Sequence, residues 1–133
     1  MRNTAFLILV TAVLCCCKKE RTDCCTVKDN LMNEWEIRKS EGGIAGTIIH
    51  QPGNGFILAF KGDTFTNYAN GTIIRSGTYE LQPTSDKDQY RITFHTNGQD
   101  QSQNIILKAD TLVLLKMVTC CDFPDETYVK ISQ

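Results

Sequence analysis

Phe56-Ile57-Leu58-Ala59-Phe60-Lys61, then Gly62-Asp63, then Thr64-Phe65-Thr66-Asn67-Tyr68, then Asn70-Gly71 leading into Thr72 to Leu81: this is the stretch from which the fold is read. Phe56, Leu58 and Phe60 recur at every second position, the period that puts side chains on one face of a strand. Gly62-Asp63 and Asn70-Gly71 interrupt the runs with turn residues. Asn-Gly is the strongest short hairpin signal, because both central positions of a type I′ turn need positive φ. Three consecutive strands joined by connections this tight are antiparallel neighbours, since a parallel pair needs a long crossover.

The same grammar continues outward in both directions. Upstream, strands are expected over Glu34 to Ser40 and Thr47 to His50, the second running into Gln51-Pro52-Gly53-Asn54-Gly55. Downstream, a polar loop from Pro83 to Asp88 precedes a strand over Gln89 to His95, in which Tyr90, Ile92 and Phe94 share a face. An Asn97-Gly98 turn with further polar loop follows, then strands over Asn104 to Lys108, Thr111 to Val118 and Thr127 to Ile131. A short helical turn is expected over Val27 to Asn33, capped by Asp23 or Thr26. A sheet of eight or nine strands closes or splits into two layers, and closure removes the exposed edges. The expected class is all-β: an antiparallel up-and-down barrel of about eight strands.

The N-terminus carries a different signal. Arg2 is followed by an uncharged apolar run, Ala5 to Cys17, which breaks at once into Lys18-Lys19-Glu20-Arg21. This is the layout of a secretory signal peptide, and about a dozen apolar residues are too few to span a bilayer of about 30 Å. Leu14-Cys15-Cys16-Cys17 resembles the lipobox of bacterial lipoproteins, in which a cysteine is acylated and becomes the new N-terminus. Cys17 fits best, with Leu14 three places before it and the small Cys16 just before it; Cys16 is the alternative register. The expected division is a signal peptide over 1–16, a lipidated tether over 17–26 and the barrel domain over 27–133. More than one acyl chain holds a protein stably to a membrane. The expected setting is therefore the bacterial cell envelope, at the outer membrane.

Cleavage before Cys17 leaves 117 of the 133 residues, enough for one small domain. It removes one basic residue, Arg2, so 13 Lys and Arg face 15 Asp and Glu. A slightly acidic chain with no basic cluster argues against nucleic acid as a partner. A monomer is expected.

At this point the mature chain resembles the lipocalin-like lipoproteins of Bacteroidetes-type bacteria. The matching segments are Leu31-x-x-x-Trp35-x-Ile37, Ser76-Gly77-Thr78-Tyr79-x-Leu81, Asp110-Thr111-Leu112-Val113-Leu114 and Tyr128-Val129-Lys130-Ile131. Lipocalins proper carry Gly two places before the tryptophan; here that residue is Asn33. The resemblance implies a barrel whose interior takes a small apolar or amphipathic molecule non-covalently, and it implies no catalytic residues.

Cys24-Cys25 and Cys120-Cys121 form two doublets, which an oxidising compartment turns into disulfide candidates. Pairing across the doublets would staple the ends of the domain, worth up to about 4–5 kcal/mol in the chain-entropy account. A Cys₄ zinc site is the rival, but the two-residue spacing within each pair is missing. No metal or other cofactor is expected.

No nucleophile elbow, His-Glu-x-x-His or Gly-rich phosphate loop occurs, and His50 and His95 sit in no triad setting, so no catalytic residue is assigned and an enzyme is not expected. His95 reads as a solvated edge residue, and Asp122, Asp125 and Glu126 as a polar turn before the last strand. Phe56, Phe60, Phe65, Tyr79, Tyr90 and Phe94 are the candidates for lining a ligand cavity, with a plain barrel core as the favoured reading of the same residues. The rival function is a protein–protein module, such as an enzyme inhibitor, acting through loops at Gly42 to Gly46 and Gln51 to Gly55.

Overall fold

A computed structural model describes residues 26–42, 45–116 and 123–131. A single helical turn, α1 (26–31), leads into nine strands: β1 (Glu34–Glu41), β2 (Thr47–Ile49), β3 (Phe56–Lys61), β4 (Thr64–Ala69), β5 (Thr72–Pro83), β6 (Gln89–Thr96), β7 (Gln99–Lys108), β8 (Thr111–Leu114) and β9 (Asp125–Lys130). Each strand from β3 to β9 pairs antiparallel with the next in sequence, and β1 pairs with both β3 and β9. The result is a closed, up-and-down antiparallel barrel of eight strands. The short β2 lies beside the second half of β1, and β3 beside the first, so the two share one edge of β1.

Local chemistry explains the elements. Asn70 and Gly71 both take positive φ, 51° and 76°, as do Asn97 and Gly98 at 45° and 80°, which gives the right-twisted hairpin turns their dipeptides encode. β7 begins five residues earlier than expected, at Gln99 rather than Asn104, because the polar run from Gln99 to Gln103 keeps full register with β6. The ladder partner decides there, and the alternation of hydrophobic residues is silent. β8 ends at Leu114 instead of reaching Val118, although the Leu115 amide still donates to the Asn104 carbonyl.

One end of the barrel is closed. Leu31 of α1 and Trp35 of β1 have no exposed surface, and the Trp35 indole N–H donates to the Leu31 carbonyl at 2.9 Å. Lys28 pairs with Asp63 in the β3–β4 turn, and the Tyr79 hydroxyl donates to the Gly62 carbonyl at 2.9 Å in that turn. Above this plug lies a core of Leu58, Phe60, Phe65, Tyr79, Ile92, Phe94, Ile105 and Leu112. Its rings meet edge-on: Phe60 and Tyr79 at 5.0 Å, Phe65 and Phe94 at 4.6 Å, a preferred aromatic geometry. Gly77 faces inward beside them, and a Cβ there would stand 2.0 Å from the His95 carbonyl oxygen and 3.1 Å from the Phe65 ring. No side chain fits where β5 and β6 approach so closely.

The break between β2 and β3 has its own logic. Pro52 lacks a ladder donor, and Asn54 takes over as a small hub. Its amide donates to the Ile37 and Gln51 carbonyls, and its oxygen accepts from the Phe56 amide. The loop folds back over Glu36, which is 5% exposed on the outer side of β1. Burial alone would raise the Glu36 carboxyl. The Arg38 guanidinium and the Gly53 and Gly55 amides outweigh that and hold it below its usual value.

Gly77→Ala is expected to lower the unfolding free energy by about 3 kcal/mol, read by urea denaturation of the soluble domain. The Glu36 contribution has a sign set by its depressed folded value: it is fully present above the unfolded value of about 4.3 and is lost as pH falls through the lower folded one. The stability gap between wild type and Glu36→Gln is accordingly expected to be largest near neutral pH and to shrink under acid, in a denaturation series over pH.

Candidate functional site

The other end of the barrel is open, and the interior there changes character. Continuing the inward-facing period of each strand away from the core passes from Tyr79 and Gly77 to Arg75 on β5, from Phe65 to Asn67 on β4, and from Ile105 to Gln103 and Gln101 on β7. On β1 a bulge at Arg38 resets the period, so Ile37 and then Ser40 face inward. β9 contributes Tyr128 and Glu126. These residues line a cavity of about 380 Å³, with Phe65, Phe94, Leu58 and Leu114 as its apolar part and His50, Phe56, Ile74, Lys116 and Phe123 nearer the mouth. That volume falls within the range of small-molecule sites. A further hollow of about 600 Å³ runs along Ala59, Lys61, Thr64 and Thr66, with Glu34 and Lys130 also on its lining.

Arg75 dominates the electrostatics. Its guanidinium carbon lies 5.3 Å from the Phe65 ring centre and 5.4 Å from that of Phe94, and Nε donates to Thr96 Oγ1 at 3.3 Å. The two rings hold the guanidinium by cation–π attraction. Burial lowers its pKa from the ordinary arginine value, but an arginine stays charged at any physiological pH. Among the described residues no carboxylate lies within ion-pair distance of it. Beside it, across the β4–β5 ladder, the side-chain oxygen of Asn67 is buried without a hydrogen-bond partner.

The far wall is already partnered. The Tyr128 hydroxyl donates to Glu126 Oε2 at 2.8 Å, and burial, reinforced by that carboxylate, pushes the phenol well above its ordinary value. Ser40 Oγ and His50 Nε2 are 3.2 Å apart, and the His50 ring meets Phe56 edge-on. Among the described residues His50 meets no carboxylate that would orient it as a general base.

The residues singled out from sequence fall into groups. Phe56, Phe65 and Phe94 line the cavity; Phe60 and Tyr79 are packed in the core below it, and the half-buried Tyr90 packs against that core. Cys17, Cys24, Cys25, Cys120 and Cys121, with Asp122 and the 1–16 segment, lie outside the described residues. The nearest described neighbours of the two doublets, Thr26 and Phe123, stand at the closed and open ends respectively. His95 sits on the outer wall in mid-sheet rather than at an edge, with Nδ1 2.7 Å from Asp100. Asp125 accepts from the Lys116 amide, and Glu126 belongs to β9 rather than to a turn.

Arg75, Asn67, Gln101 and Gln103 escape a reading based on apolar alternation, because a polar residue facing inward looks like one facing water. The usable signal is phase: Arg75-x-Gly77-x-Tyr79-x-Leu81 and Gln101-x-Gln103-x-Ile105-x-Leu107 keep the polar residues in step with buried ones.

Comparison with family models, with characterised proteins and with solved structures finds no match to this chain. What the fold itself supports is a closed eight-stranded barrel compatible with ligand binding.

An orphaned buried acceptor costs about 1–3 kcal/mol. Asn67→Leu, similar in volume, is therefore expected to raise the unfolding free energy by about 1 kcal/mol, measured by chemical denaturation. Such a gain would show that Asn67 is kept for something other than stability.

Proposed function

We propose that this chain is a lipocalin-like lipoprotein of the bacterial envelope, held at the outer membrane through Cys17, whose barrel binds a small amphipathic molecule non-covalently in its open end. The observation that carries this reading is the two-sided lining of the cavity. Leu58, Phe65, Phe94 and Leu114 offer apolar surface, while Asn67, Arg75, Gln101 and Gln103 offer polar groups not consumed by the fold. Interior polar groups that the barrel itself does not satisfy are costly unless something else uses them.

The topology suits an anchored binder. The chain enters the described domain at the closed end, through α1, with the mouth at the opposite pole, which supports a reading in which the anchor precedes the domain. The protein acts as a monomer in this reading, with no cofactor and no nucleic-acid partner. Binding is the reading chosen over catalysis: among the described residues, no carboxylate joins Ser40 and His50.

A second reading is favoured by one observation. Ile48, Ile49, Ile73, Ile74 and Phe123 are exposed at the strand ends around the mouth, and such an apolar rim also suits a protein partner. The Gln51 to Gly55 loop is less available for that role, since Gly53, Asn54 and Gly55 are bonded to β1.

The domain from Lys18 onward, exported to a periplasm, is expected to show a discrete adduct of small-molecule mass in native mass spectrometry that disappears on denaturation. A bare native mass, with specific capture of a protein that survives Arg75→Gln, would replace the first reading by the second.

A further inference from the structure

Charge and grease are placed in the reverse of the usual order in this cup. The cation is inside, close to the Phe65 and Phe94 rings, while Phe56, Ile74 and Phe123, which line the same cavity, are 44%, 62% and 47% exposed at its mouth. Nothing in the described fold covers these large apolar side chains.

The charged and titratable groups facing the cavity are Arg75, Lys116, Glu126, His50, Tyr68 and Tyr128. Glu126 accepts from the Tyr128 hydroxyl, and it stands on β9, across the barrel from β5. Arg75 has five N–H donors and spends one, Nε–H, on Thr96; its guanidinium carbon lies near both rings, and its remaining donors have no partner among the described residues. A guanidinium with unused donors suits a planar, two-oxygen acceptor. Asn67, its cross-strand neighbour, and Gln101 and Gln103 supply further amide groups near that point.

We infer that the cup takes a small amphipathic carboxylate head first: the carboxylate sits on the free edge of the Arg75 guanidinium, and the apolar tail lies outward against Ile57, Phe56, Ile74 and Phe123. This rests on the cavity reading above and deepens it, naming the charge of the ligand, its anchor and its direction. Both oddities of the open end then have one cause. The unpaired cation waits for the head, and the exposed apolar mouth is covered by the tail.

The test uses the full-length lipidated chain in lipid nanodiscs, with empty discs as the partition control, and calorimetric titration of octanoate, octanol and octylammonium. Wild type is expected to bind octanoate roughly ten- to a hundredfold more tightly than octanol, the range for hydrogen bonds to a charged group. Arg75→Gln is expected to erase that preference, bringing octanoate down to the affinity of octanol. Lengthening the carboxylate from hexanoate to octanoate should tighten binding by about fourfold per CH₂, and Ile74→Ser, at an exposed position, should reduce that gain. Equal binding of octanoate and octanol, or preference for octylammonium, overturns the head-first carboxylate but leaves the cavity reading standing. No binding of any of the three overturns both. The preference in wild type decides the matter even if Arg75→Gln fails to fold.

Discussion

The first strand meets the last, and everything else in the molecule depends on that meeting. β1 and β9 run antiparallel from Trp35 opposite Lys130 to Glu41 opposite Asp125, joining positions 84 to 95 residues apart in the chain. Bringing such distant segments together costs about 4 kcal/mol of loop entropy before a single contact repays it. In return, no edge is left on the eight-stranded wall, and a core of thirteen apolar side chains among the described residues is ringed by strands. Because the closing contacts are the least local ones, a barrel of this kind gathers its stability late in folding.

Closure also explains why the interior divides into two levels. At the base, α1 plugs the barrel and the aromatic side chains interlock, with Gly77 marking the point where the wall has no room for a Cβ. Toward the mouth the strands have nothing to pack against, and the inward positions turn polar. The wall is weakest there: β2 is split from β3 by a loop whose amides fold back onto Glu36, so β1 is held on that side by a local network rather than by a continuous ladder.

Most of the architecture was legible in the sequence because turn chemistry and alternation agree along it. Asn70-Gly71 and Asn97-Gly98 locate two hairpins without any tertiary knowledge, and Leu58, Phe60, Ile92 and Phe94 declare their face. Legibility fails where side chains face an interior that is not apolar. Gln99 to Gln103 look like loop residues and are strand, held by register with β6 alone. Arg75 reads as a solvent residue until its phase with Tyr79 is followed. Of the six aromatic candidates, Phe56, Phe65 and Phe94 were separable from Phe60, Tyr79 and Tyr90 only by height along the barrel, a coordinate that alternation does not contain.

The separation of a packed base from a polar cup has an evolutionary consequence. In a barrel cored from end to end, a change of lining residue disturbs packing, and selection on foldedness restrains selection on affinity. Here Leu58, Phe65, Phe94 and Leu114 serve both the core and the cup, but the polar residues that face the opening, Asn67, Arg75, Gln101 and Gln103, stand outside the core. Those polar positions are free to diverge at little thermodynamic penalty. Descendants of one such scaffold would share the plugged base and the strand order while trading one cargo for another.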